Sequence, residues 1–331
     1  RFSTGVNVAQ LAVSPRGVLL VAGSFTGTLT VQGRVLTSGG ASDVALLGFT
    51  PAGQLLWARS VGSASSDTAR PVAVDSEGNF LVTANLGPNA LVQSVRASDG
   101  AVQWSNQDLV LNAGSVQLGP VRAVLDVPGG VAIAGKFGSL RVGSQPVVTA
   151  GLPEGAFVVK FDREGRLLWL RTVKGSCIGW GSTGANGLSH DGERLLVTGS
   201  YCTGLDLGDG VKLGAGSTFL WELDLASGVT RGGAALGTAS SGQFSAVDAW
   251  GRVSILTGNW GGAVAMLYRW DERGRPEAPV TLTGSPSALV ADRCGALTAV
   301  VETYQAGPLG SADITLPPMT RTAVTLQFDP L

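Results

Sequence analysis

The chain has 331 residues, 44% of them hydrophobic, enough to bury a large core. Its 23 basic residues balance 24 acidic ones, which excludes the basic footprint of a nucleic-acid or anionic-membrane binder. Apolar runs such as 17–23 and 45–49 fall far short of the roughly 20 residues a spanning helix requires, so no transmembrane segment is expected. With 49 glycines and only 2 methionines, the composition favours short strands joined by turns over long helices.

From the N-terminus onward, one phrase recurs six times. It opens on an apolar pair closing a first strand: Ala12-Val13, Ala73-Val74, Val124-Leu125, Gly187-Leu188, Ala246-Val247 and Leu289-Val290. A turn follows at Gly17, Gly78, Gly129, Gly192, Gly251 and Gly295, often with an Asp ahead of it, as in Asp75-Ser76-Glu77-Gly78. Asp bonds its own backbone there and Gly accepts positive φ. Eight or nine residues later the second strand ends at Phe25, Leu86, Phe137, Tyr201, Trp260 or Tyr304. Third strands align on Phe49, Val95, Phe161, Leu223, Trp270 and Phe328, the first five standing four or five residues ahead of another glycine. Trp57, Trp104 and Trp169 mark fourth strands four residues past that glycine, where the next two phrases carry Gly232 and Ala278.

A repeat of roughly 40 to 65 residues built from strands is what a propeller blade looks like in sequence. The expected fold is therefore all-β: a six-bladed β-propeller forming a single domain over 1–331. Its blades are expected near 6–61, 69–110, 119–174, 184–237, 243–283 and 285–331. The last phrase stops at Phe328-Asp329-Pro330-Leu331, where a fourth strand should begin, and residues 1–5 belong to no blade. An open ring would expose unpaired strand edges, so the N-terminal segment is expected to complete the last blade and close the ring. The alternative is that Arg1 lies inside a longer array. A start at Arg rather than Met is compatible with removal of a leader or an upstream region.

In a propeller, connections from second to third strands emerge on the same side as those joining consecutive blades, and that side usually holds the ligand. Four of these are long: Thr26 to Asp43, Gly138 to Glu154, Cys202 to Gly216 and Gln305 to Arg321. Either they rise as binding loops, or they fold back as extra hairpins. The alternation of Gly27–Val31 and Arg34–Leu36 about Gln32-Gly33 suits the second reading. Recurring aromatics at second-strand ends are expected mainly to pack between blades, with a ligand role reserved for Trp260, Tyr304 and the loop residue Trp180. Asp67, Asp206 and Asp209 fall on the same side and join them as candidate ligand-binding residues, with Glu154 nearby. Cys177, in the connection into the fourth blade, and Cys202, opening its long loop, share that side and are expected to form a disulfide. Such a bridge suits an oxidising compartment; two buried thiols in the cytosol are the alternative. Cys294 lies on the opposite side and is expected to be free.

No catalytic residue, metal or cofactor is assigned. His190 is the single histidine, in a turn, which leaves no clustered imidazole ligands and no histidine-based triad. Gly179 to Gly184 matches a dinucleotide G-x-G-x-x-G, yet no helical period follows it. The stretch Asp206-Leu207-Gly208-Asp209-Gly210 has too few acids for an EF-hand loop.

The first phrase, through Gly23-Ser24-Phe25-Thr26-Gly27, Leu36-Thr37-Ser38-Gly39-Gly40-Ala41-Ser42-Asp43 and Gly53-Gln54-Leu55-Leu56-Trp57, closely resembles the bacterial β-propeller-repeat proteins of SBBP type. The third repeats the likeness more loosely at Gly135-Lys136-Phe137-Gly138 and Gly165-Arg166-Leu167-Leu168-Trp169; the second and fifth lack the inserted Gly-rich segment. Asp43 has no counterpart in the third or fourth, where Glu154 and Gly216 fall nearby. The resemblance implies a secreted or lipid-anchored protein of the bacterial surface and implies no activity. Ala97 to Trp104 is similar to the tryptophan-docking repeat of quinoprotein-like propellers, and one such copy implies no quinone.

The favoured expectation is a non-catalytic extracellular or cell-surface binding scaffold that contacts a protein or glycan. The rivals are a hydrolase or lyase with acids at the central mouth, and a structural component of an envelope assembly.

Overall fold

The computed structural model describes residues 5–112, 121–150, 154–175, 177, 183–236, 241–248, 250–258, 264–271, 275–291, 296–303, 308–309, 312–315 and 322–328. Among these, every regular element is a strand, and no helix is long and apolar enough to cross a membrane. Among the described residues six sheets of three or more strands follow one another in sequence, each built as an antiparallel meander. First strands are Val6–Val13, Asp67–Val74, Val121–Val127, Gly184–His190, Ser241–Val247 and Ser285–Ala291. Second strands are Leu19–Phe25, Phe80–Leu86, Gly130–Phe137, Arg194–Ser200, Val253–Gly258 and Leu297–Thr303. Third strands are Asp43–Phe49, Asn89–Val95, Gly155–Phe161, Thr218–Asp224, Val264–Trp270 and Thr322–Phe328. Fourth strands are Leu55–Val61, Val102–Asn112, Leu167–Val173, Thr230–Leu236 and Val280–Thr283. Ala278 stands just ahead of the last of these rather than inside it.

The third-strand residues that align in sequence also pair alike in space. Phe49 faces Leu19, Val95 faces Phe80, Phe161 faces Val131, Leu223 faces Leu195, Trp270 faces Val253 and Phe328 faces Leu297. The sixth sheet has three strands among the described residues, and residues 1–4, expected to supply its fourth, lie outside them.

The chain divides into two compact units, 1–172 and 173–331. In the first, Leu20, Ala22 and Leu46 of sheet one meet Phe80, Val82 and Leu91 of sheet two. The other face of sheet two, with Leu81, Val92 and Leu109, meets Ile133, Phe157 and Val159 of sheet three. Middle strands buried on both faces explain the unbroken apolar runs in sequence. Consecutive sheets approach most closely at their first strands: Val6–Val13 lies against Asp67–Val74, which lies against Val121–Val127. In the second unit Gly184–His190 lies against Ser241–Val247, which lies against Ser285–Ala291.

Tryptophans link neighbouring sheets of the first unit. Trp57 Nε1 donates to the Ala97 carbonyl at 2.8 Å, and two residues on, Arg59 donates to the Gly100 carbonyl at 2.7 Å. A Cβ on Gly100, which sits at φ +73°, would come within 2.7 Å of the Trp57 ring. Trp104 stands over Gly165 in the same way, and Asn106, again two residues on, donates to the Gly165 carbonyl at 2.9 Å.

All four long second-to-third connections contain extra hairpins: Thr28–Val31 with Arg34–Thr37, Ser139–Val142 with Val148–Thr149, Leu205–Gly208 with Val211–Leu213, and Pro308–Leu309 with Ala312–Thr315. Of the two readings the sequence allows, the fold-back is the one observed. The first hairpin buries Leu29 and Val31 beside Phe25, Val21 and Leu47. The second extends sheet two by pairing with residues 109–112. In the first and third, the turn carries a non-glycine residue at positive φ, Gln32 at 45° and Asp209 at 51°. Each uses its side-chain oxygen to accept the first amide of the fourth strand, Leu55 at 2.9 Å and Thr230 at 2.8 Å. Second-strand aromatics hold the hairpin bases: Phe25 and Phe137 are buried against them, and the Tyr201 hydroxyl donates to Gly214 O at 3.0 Å.

Candidate functional site

Cys177 and Cys202 are joined in a disulfide, with Cα atoms 4.9 Å apart. It ties the lead-in of sheet four's first strand to the end of its second strand, as their positions in the repeat imply. Closing a loop of this size contributes about 3 kcal/mol in the chain-entropy account.

The three candidate acids occupy different settings. Asp67 is 1% exposed, and its carboxylate accepts from the Ser63 amide, the Ser63 hydroxyl at 2.8 Å and the Gly87 amide at 3.1 Å. Asp43 is similarly enclosed, receiving the amides of Gly39 and Gly40 and the Ser60 hydroxyl. Asp206 is exposed and pairs with Lys212 at 3.5 Å, while Asp209 holds its hairpin to Thr230. Trp180, Trp260, Tyr304 and Cys294 lie outside the described residues. His190 ends a strand instead of standing in a turn, and its Nδ1 accepts the Gly192 amide at 3.1 Å. Gly184, last glycine of the G-x-G-x-x-G match, opens a strand and not a helix.

A feature that sequence reading missed repeats in all six first strands. Near the start of each, the register with the second strand slips by one residue, leaving extra residues Ala9, Arg70 with Pro71, Arg122, Asn186, Gln243 and Ser287. Such a bulge turns a side chain out of the pleat and is common beside binding sites. The readable signal is the Gly-x-aromatic ending of second strands. Gly23, Gly135 and Gly199 of Gly23-Ser24-Phe25, Gly135-Lys136-Phe137 and Gly199-Ser200-Tyr201 lie directly opposite the bulge, where a side chain on Gly23 or Gly199 would strike backbone.

In the first unit the bulges build a basic cluster. Arg70, with Pro71, and Arg122 are the bulged residues of sheets two and three, and Lys136 follows Gly135, the partner of Val121 beside the bulge. Glu154, 1% exposed, places Oε2 4.0 Å from Lys136 Nζ. The Asn85 amide, set with its oxygen toward Arg70, accepts from Nε at 2.8 Å and Nη2 at 3.2 Å. Burial pushes all three cations below their ordinary values, and the Arg122 charge adds to the lowering at Arg70 and Lys136. Glu154 opposes the shift at Arg122 and Lys136. Arg122 Nε and Glu154 Oε2 are buried without a hydrogen-bond partner among the described residues.

No family model matches the chain, and no curated protein matches it. Solved structures do. A protein of unknown function from Bacteroides caccae is 14% identical at a TM-score of 0.47, over 84% of this chain and 83% of that one. A luciferin-regenerating enzyme is 11% identical at 0.45, over 91% and 84%. The Dos1 propeller is 8% identical at 0.47, over 89% and 75%. These are likenesses at low identity and assign no activity.

Proposed function

We propose that the chain is a six-bladed propeller that serves as a non-catalytic binding scaffold outside the cytoplasm, on a protein or glycan partner, with residues 1–5 completing the sixth blade. The observation that carries this reading is the recurrence of four-stranded meanders that approach one another at their first strands, each bulged at the same end. A rim fixed by both flanking sheets loses little conformational freedom on binding, so modest contacts yield useful affinity. Asp43 and Asp67, whose oxygens are engaged by their own loops, support a non-catalytic reading over a hydrolase or lyase. The disulfide supports an oxidising location.

The test is to apply the intact oxidised protein to glycan and acidic-peptide arrays and to recover bound ligand for mass spectrometry. Ligand retained without cleavage is expected; arrays that stay blank, or ligand recovered cleaved, contradict the reading.

A further inference from the structure

We propose that Arg70, Arg122 and Lys136 form a receptor for an anionic ligand group, a set of carboxylate or phosphate oxygens, at the bulged starts of the first strands of sheets two and three. This names the ligand chemistry of the scaffold described above and rests on that reading.

Several other half-buried arginines have a close partner: Arg163 pairs with Asp126, Arg194 with Asp191 and Glu222, Arg252 with Asp248 and Arg269 with Glu277, and Arg59 donates to the Gly100 carbonyl. Arg70 and Arg122 pair with no carboxylate among the described residues, and the lone acid of the cluster, Glu154, lies at Lys136. Among the described residues three cations stand against one carboxylate, an excess of two positive charges in a half-buried site where repulsion is poorly screened. Folding alone gains nothing from this, since an apolar or singly charged set would cost less to bury.

Both arginines occupy bulges, positions where the backbone departs from the ladder and re-aims a side chain. The buried Arg122 Nε has its donor unused. A guanidinium fork matches the paired oxygens of a carboxylate or phosphate, and charge-assisted hydrogen bonds of this kind are the strong ones. Glu154 then acts as the internal competitor, holding Lys136 while offering negative charge beside the position a ligand anion would take.

The test is titration calorimetry of the intact oxidised protein at low ionic strength, with citrate as the carboxylate probe and tripolyphosphate as the phosphate probe. At least one binds, more weakly as salt is added. Arg70→Gln and Arg122→Gln each weaken it by about tenfold or more, and Arg275→Gln, whose charge is matched by Asp271, leaves it unchanged. Glu154→Gln, which removes the competing charge, tightens it. The opposite signs keep the test sound if one arginine variant fails to fold, as melting curves reveal. Neither probe binding, equal weakening by Arg275→Gln, or weaker binding to Glu154→Gln overturns the assignment. Array binding that survives Arg70→Gln with Arg122→Gln removes the anion receptor and leaves the scaffold reading intact; ligand cleavage on the arrays does the reverse.

Discussion

At the residue scale, single side chains hold neighbouring sheets and turns. Trp57 combines a buried ring with one directed hydrogen bond. Trp57→Ala should cost about 3–5 kcal/mol, and Trp57→Phe, which keeps most of the ring contact, much less; thermal denaturation separates the two. Gly100→Ala combines a left-handed backbone position with a clash against the same ring. It should lose about 1–2 kcal/mol from conformation alone, whereas Gly53→Ala, at φ +78° with open space around it, should lose only that conformational part. Turn aspartates set the acid sensitivity. The Ser227 hydroxyl and amide, and then Arg231, hold the Asp224 carboxyl well below its ordinary 3.8. At Asp162, burial acts upward but is outweighed by the amide and guanidinium of Arg166. A depressed folded value means these groups stabilise the protein above the unfolded pKa, and that contribution is lost as pH falls from about 4 downward. Melting temperature should be flat from neutrality to about pH 5 and decline below about 4, less steeply in Asp224→Asn. A decline no shallower in that variant would assign the acid sensitivity to other carboxylates.

At the element scale, the hairpins inserted between second and third strands pack on their own sheets in the first and fourth repeats and, in the third, extend the sheet before. Gln32 and Asp209 are the devices that fasten two of them. Asp209→Ala should raise hydrogen exchange at the Thr230 amide and cost about 1 kcal/mol, with sheet five unaffected; unchanged protection at Thr230 would show that the hairpin is held otherwise. The strand frame was legible because apolar pairs, turn glycines and strand-end aromatics recur at near-constant spacing, and their cross-strand partners recur with them. The Cys177–Cys202 pairing was legible from the same frame. The bulges were not, because a one-residue register slip depends on pairing between strands. Arg70, Gln243 and Ser287 stand eight residues before their turn glycine, but Arg122 and Asn186 stand seven and six, so no fixed column exposes them. Asp67 illustrates the complementary limit: its place in the repeat says which end of a strand it occupies, not that the Ser63 and Gly87 amides already engage its carboxylate.

At the scale of the whole molecule, first strands that lie side by side within each unit give the sheets a common edge, and closing that edge into a ring would fix the bulged residues around one mouth. Reduction of the disulfide should lower stability by about 3 kcal/mol without altering the far-ultraviolet β signal, as followed by denaturant titration with and without reductant. The most direct test of the ring is amide hydrogen exchange along Thr322–Phe328, the last strand of the sixth sheet. Amides pointing away from Leu297–Thr303 need a partner that only a further strand provides. The account predicts that they are protected as strongly as the inward-pointing ones, and that deleting residues 1–5 strips protection from the outward set alone. Rapid exchange of the outward amides in the full chain would contradict it.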